Sequence, residues 1–202
     1  MSEDLFRDPN SPPGATDPSM AAAPSVERPP DAYVRAAIAG DRVAAQAIVE
    51  ALLPRVRNLA RFLLKGDGEV DDVAQLACIE ILRSLHTWRG EAKLESWALR
   101  VAARVARREA KKRRLENARR GSEPPELRAV GSAPDSYIER RRLACMLDQL
   151  PDGQREALVL HHVMGMSVPE VAAELALPFE TARSRLRLGM RKLRELYVQG
   201  ET

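Results

Sequence analysis

Apolar residues recur along most of this chain at steps of three and four, and no strand-like alternation of any length appears. That spacing lines one face of an α-helix, so the pattern predicts helices throughout. The stretch DAYVRAAIAGDRVAAQAIVEALLPRVRNLARFLL, beginning at Asp31, reads as a helix, a break at Gly40 and Asp41, and a longer helix. Asp31 and Asp41 are suited to cap the two, their carboxylates accepting from the first free N–H groups. Pro54 is expected to kink or interrupt the second helix, because it lacks an N–H. KGDGE, residues 65–69, is a Gly-rich turn. After it, VDDVAQLACIEILRSL places Val73, Leu76, Ile79 (or Glu80), Leu82 and Leu85 at helical spacing. A loop, HTWRGEAK, leads into LESWALRVAARVARREAKKRR, where Leu94, Trp97, Val101 and Val105 form the predicted core stripe.

The pattern then lapses. Residues 117–135 are polar and punctuated by Gly and Pro, which predicts a flexible linker. A helix restarts at SYIERRRLACMLDQL, with Ser136 and Glu139 spaced as a capping box and Leu143, Leu147 and Leu150 behind them. Pro151 ends it, and DGQREALVLHHVM begins another. At the other end, residues 1–30 carry Pro9, Pro12, Pro13, Pro18, Pro24, Pro29 and Pro30 among Ser, Ala and Asp. Such a segment buries too little apolar area to offset its ordering entropy, so disorder is expected. The predicted fold class is all-α: two small helical domains, 31–116 and 136–202, joined by the linker.

The second domain ends in SVPEVAAELALPFETARSRLRLGMRKL, residues 167–193. Ser167 and Glu170 repeat the capping signature, and Pro169 and Pro178 stand near helix starts, where a missing N–H costs little. A short helix, a tight turn at ALP and a longer helix make helix-turn-helix geometry, with the second helix placed for a DNA major groove. Val171, Leu175, Ala182, Leu186, Met190 and Leu193 form the apolar comb. Phe179, Glu180, Arg183, Ser184 and Arg187 are left to face bases; Arg pairs bidentately with guanine, and Ser or Glu addresses other base edges. Arg185, Arg191, Lys192 and Arg194 are left for phosphates. The plainer alternative is a solvated basic face. The absence of any acid from Thr181 through Arg194 favours DNA.

Composition adds location and partner class. The 202 residues are 45% hydrophobic, 30% charged and only 4% aromatic, which favours helix and argues against a β-sandwich. Net charge is only +3, yet residues 100–114 hold eight Arg or Lys against the single Glu109, while the first 31 residues are acidic. A basic block beside an acidic tail points to a polyanion partner. Cys78 and Cys145 lie far apart in apolar contexts without CxxC spacing, the pattern of reduced, buried thiols. No apolar run is long enough to insert in a membrane, and the start, MSEDLFRDPN, has no signal-peptide core, so a cytoplasmic protein is expected.

The order of motifs is informative as well. VDDVAQLACIEIL, then TWRGEAKLESWALRVAARVARREAKKRR, a linker, and LPDGQREALVLHHVMGMSVPEVAAELALPFETARSRL together resemble the extracytoplasmic-function group of bacterial RNA polymerase sigma factors. The resemblance implies region 2 over 31–116 and region 4 over 136–202. It implies that Asp71, Asp72, Val73 and Gln75 dock on the β′ coiled coil of core polymerase, and that the β flap is a second contact. Asp71 or Asp72 can instead simply cap the helix. It implies that the loop from His86 to Lys93 receives a base flipped from the −10 element, with Trp88, Arg89 and Glu91 around it, although Trp88 can equally fold back on the core. Arg100, Arg104, Arg107, Arg108, Lys111 and Lys112 then follow the backbone near the opened strands. Phe179, Glu180, Thr181, Arg183, Ser184, Arg185, Arg187 and Arg191 address the −35 element. An anti-sigma partner is implied too. The chain departs from the family's common residues at Leu76, Arg104, Ala176 and Glu180; a left-handed Ala176 would cost up to about 1 kcal/mol.

Two other functional classes fit the sequence less well. A regulator that binds duplex DNA alone needs a dimer interface or sensory domain, which the first domain does not resemble. An enzyme needs a catalytic constellation, and the sequence offers no carboxylate cluster, Ser/His/Asp set or phosphate-cradling loop. His161 and His162, with Cys145 upstream, read as packing and surface residues rather than a zinc site. No cofactor and no metal are expected.

Overall fold

A computed structural model of the chain describes residues 31–120 and 135–199, and the helices in them fall into two compact units. The expectations for residues 1–30, for the side chains of Asp31 and Ser136, and for most of the linker lie outside the described residues.

The first unit contains α1 (Asp31–Ile38), α2 (Arg42–Leu63), α3 (Val70–Ser84), a short 3-10 turn (Leu85–Thr87) and α4 (Leu94–Arg120). Gly40 turns the chain at φ +97, and the Asp41 carboxylate then accepts from the N–H groups of Val43 at 2.8 Å and Ala44 at 3.2 Å. Contrary to expectation, Pro54 does not interrupt α2. It sits on the solvent side beneath exposed Glu50, whose carbonyl it leaves without an N–H, and water serves a carbonyl there. The buried seam runs through Ile48, Leu52, Val56, Leu59 and Leu63 of α2, Val73, Ala77 and Ile81 of α3, and Leu94, Ala98, Val101 and Val105 of α4. Fully burying each large aliphatic side chain stabilises by about 1.5–3 kcal/mol.

Leu76 and Ile79 are each 45% exposed, because α3 packs by the side that carries Val73, Ala74, Ala77, Cys78 and Ile81. Trp97 is only half-buried, since Ala98, Ala102 and Ala106 carry α4 against its neighbours closely enough to leave the indole at the edge. The α4 helix also runs past the predicted boundary at 116, to Arg120.

The second unit contains α5 (Asp135–Asp148), α6 (Asp152–Leu158), a π-helical turn (Val159–Val163), α7 (Val168–Glu174) and α8 (Phe179–Gln199). The π turn replaces the last part of a predicted α-helix. Its His161 Nδ1 lies 2.6 Å from the Met166 carbonyl, which ties the widened turn to the chain beyond Gly165. The capping box is formed: Ser167 Oγ accepts from Glu170 N at 3.4 Å, and Glu170 Oε2 accepts from Ser167 N at 2.8 Å. Val171, Ala182, Leu186, Met190 and Leu193 are buried as the comb predicts, and Leu175 is half-buried. Arg155, with 2% of its surface exposed, pairs with Asp152 at 2.9 Å inside the unit.

Candidate nucleic-acid interface

The turn between α7 and α8 is closed by Leu177 N donating to the Ala172 carbonyl at 2.9 Å, with Ala176 held at φ +52. Val171 and Ala172 of α7 and Ala182 and Leu186 of α8 are buried in their unit, so the buried arc of α8 dictates what its other side presents. At 100° per residue, Glu180, Arg183, Arg187, Arg191 and Arg194 fall on the arc opposite the buried one, and all are exposed. Phe179, 46% exposed, opens the helix, and Thr181 and Ser184 are half-buried. Arg183 and Arg187 make no ion pair among the described residues. Arg191 lies 4.0 Å from Glu195, and Lys192 lies 3.6 Å from the same carboxylate, which stands one residue past the acid-free stretch.

Arg185 is not part of this face. It lies on the opposite flank, half-buried, with its guanidinium packed on Gly153 of α6. The sequence reading left Arg185 for phosphates, apart from the base-facing residues; two residues of helix turn it about 160° away from Arg187.

In the first unit, Asp71, Asp72 and Gln75 project from the start of α3 and are exposed, whereas Val73 is 2% exposed and belongs to the core. Val73 therefore sits beneath that face, in the core of its unit. The helix begins with Glu69 as its N-cap, and Glu69 makes no side-chain cap bond; neither aspartate caps it. Asp71 instead pairs with Arg57 of α2 at 2.7 Å, a long-range partner that no local sequence signal announces. Glu69 pairs with Arg113 of α4, and Glu95 with Arg55 of α2, tying the three helices at their solvent edges.

The loop between the 3-10 turn and α4 is ordered by its own atoms. Trp88 Nε1 donates to the Ala92 carbonyl at 3.0 Å, Thr87 Oγ1 donates to Ser84 O at 2.7 Å, and Gly90 adopts φ +77. Trp88 is thus half-buried over its own loop, while Arg89 and Glu91 stand in solvent. Arg100, Arg104, Arg108 and Lys111 lie within one arc of α4 and are exposed; Arg107 is on the same arc but half-buried. Lys112 is exposed as well.

Titration adds little to either face. Burial pushes the Cys78 thiol up, in keeping with an inert core residue. Desolvation and then the neighbouring His161 lower His162 to about 4, although the residue as a whole stays exposed and water screens most of that effect. Among the described residues no group of His, Cys, Asp and Glu is placed to hold a metal ion.

The sequence matches Sigma-70 region 2 over residues 48–116 and Sigma-70, region 4 over residues 140–193. RNA polymerase sigma factor CarQ of Myxococcus xanthus is 30% identical over 144 residues, covering 71% of this chain and 83% of that protein. The ECF RNA polymerase sigma-E factor of Escherichia coli (strain K12) is 29% identical over 160 residues, covering 73% and 83%. The chain belongs to the extracytoplasmic-function family of RNA polymerase sigma factors. The fold agrees. The sigma factor RpoE from Bartonella quintana, solved with the anti-sigma factor NepR, superposes with a TM-score of 0.61 at 21% identity, over 75% of this chain and 95% of that one. CnrH, solved with the cytosolic domain of CnrY, gives 0.54 at 24% identity, over 83% and 96%. As an alternative sigma factor, the chain binds core RNA polymerase and promoter DNA and directs promoter-specific transcription initiation. Sigma factors are initiation factors rather than catalysts. No helix among the described residues is long and apolar enough to cross a membrane.

Proposed function

We propose the following division of labour within this sigma factor. The domain spanning 31–116 docks on the β′ coiled coil through Asp71, Asp72 and Gln75, with Val73 seating them, and handles the −10 element. The domain spanning 136–202 reads the −35 element and meets the β flap. Residues 117–135 connect them, and residues 1–30 are an extension to the sigma domains. The observation that carries this reading is the outward arc of α8, where Glu180, Arg183 and Arg187 stand exposed above a buried Ala182 and Leu186. A helix seated by its apolar side, with uncommitted arginines on the other, suits a major groove.

Strand opening proceeds without nucleotide hydrolysis. Each base-pair step costs on the order of 1.4 kcal/mol, which must come from binding the opened strand better than the duplex. Arg89 and Glu91, on a loop stiffened by Trp88, receive an unpaired base, while Arg100, Arg104, Arg107, Arg108, Lys111 and Lys112 hold the adjacent phosphates. Phe179, Thr181 and Ser184 complete the −35 face, and Arg191 and Arg194 serve its phosphates. The protein acts in the cytoplasm, catalyses no reaction of its own and needs no cofactor. An anti-sigma protein holds it inactive; the Bartonella quintana relative was solved with such a partner. Sequencing the 5′ ends of transcripts made on overexpression tests the reading. Start sites preceded by one shared pair of elements at constant spacing support it; start sites with no common upstream sequence overturn it.

A further inference from the structure

Two glycines, one on α6 and one on α8, lie in the seam between those helices. A Cβ built on Gly189 of α8 would stand 2.8 Å from Leu158 Cδ1 and 3.3 Å from Gln154 Cβ. A Cβ on Gly153 of α6 would stand 2.7 Å from Arg185 Nη1, 2.8 Å from Cζ and 3.2 Å from Nε. Arg185 and Gly189 are one helical turn apart and form a single strip facing α6. A glycine within a helix costs about 0.5–1 kcal/mol relative to alanine, and here the two permit an approach that no side chain would. Within α6, buried Arg155 pairs with half-buried Asp152 and ties the first turn of the helix to itself.

We propose that Arg185 is a positioning residue: its guanidinium, seated on Gly153, sets how α8 lies on α6 and so how Arg183 and Arg187 are presented to the −35 element. The planar group fills a slot that only glycine leaves open, and it leaves the DNA-facing arc to its neighbours. This deepens the reading of α8 as the −35 helix and rests on it.

The charge-conserving variant Gly153→Ala separates this role from phosphate binding. An added methyl group meets only the far end of a flexible side chain, so it evicts the guanidinium without demanding a backbone shift. If Arg185 positions α8, eviction loosens the presentation and weakens binding. If Arg185 is a phosphate ligand, eviction frees it, and binding is unchanged or tighter. The measurement is the affinity of holoenzyme, full-length chain with core polymerase, for a duplex from an induced promoter, titrated over salt concentration.

Arg185→Ala and Gly153→Ala are each expected to bind about fivefold more weakly or worse, the low end of what a lost base contact costs. Both should keep the parent's salt slope, and the double variant should lose no more than either alone. Arg185→Lys should not rescue, because an ammonium does not fill the slot. A salt slope lowered by about one in Arg185→Ala, with parental binding in Gly153→Ala, would show a phosphate contact and overturn the proposal. Parental binding by both variants would overturn it equally. Arg187→Ala serves as the control on the underlying reading: unchanged base preference there removes α8 as the reader, and the proposal with it.

Discussion

Asp71 and Arg57 meet at 2.7 Å across α2 and α3, while Asp72, the next residue, makes no ion pair among the described residues. Both side chains of the pair are more than half exposed, so the pair itself adds no more than about 1 kcal/mol to stability. Its consequence is for recognition, because one of two adjacent carboxylates is already partly neutralised. Asp72→Ala is expected to weaken binding to core polymerase about tenfold, and Asp71→Ala about threefold or less. Equilibrium titration of core polymerase with the two variants checks this. Equal losses would mean that the polymerase takes Asp71 from Arg57 on docking.

The hydrogen bond from Trp88 to the Ala92 carbonyl makes the indole a brace for the loop that carries Arg89 and Glu91. Trp88→Phe keeps the ring's bulk and loses the donor, so it should open promoters partially; Trp88→Ala should open them least. Core binding should be unchanged in both. Permanganate reactivity of unpaired thymines in the holoenzyme–promoter complex measures the opening directly. A Trp88→Ala holoenzyme that opens DNA as the parent does would return the indole to a purely peripheral place.

On α8, Arg183→Ala should lose about 1–3 kcal/mol at one base pair of the −35 element and relax preference there. Arg191→Ala, whose guanidinium already leans toward Glu195, should weaken all sequences alike and only slightly. Competition binding against a library of single-base variants distinguishes the two patterns.

The second unit carries two local energies that can be read separately. Removing the Ser167 cap should cost about 1 kcal/mol, raising amide exchange rates in α7 about fivefold in Ser167→Ala. Ala176 at φ +52 stores left-handed strain, partly offset by the freer unfolded chain a glycine would bring, so Ala176→Gly should gain less than about 1 kcal/mol and slow exchange. Hydrogen exchange on the full chain reports both.

What the sequence revealed tracks the distance over which each cause acts. The Asp41 cap and the Ser167–Glu170 box were legible because donor and acceptor lie within one turn. The helix-turn-helix comb was legible because Val171, Ala182 and Leu186 are all apolar and all buried. Leu76 and Ile79 misled because α3 carries apolar residues on two sides, and the side that packs is the one with Ala74, Ala77, Cys78 and Ile81. The seat of Arg185 was not legible because its partner, Gly153, carries no side chain to signal the contact. The Arg57–Asp71 pair and the π turn at Val159–Val163 arise from tertiary packing, which no local spacing encodes.

The central claim is that this chain initiates transcription only as a part of RNA polymerase. The most direct measurement mixes the purified chain with core polymerase, passes the mixture over a sizing column, and assays the co-eluting fraction for run-off transcripts from an induced promoter. Co-elution and a transcript of defined length are expected, both weakened when Asp71 and Asp72 are replaced together by Ala. A chain that elutes apart from core polymerase, yet binds the same promoter duplex tightly alone, would contradict it.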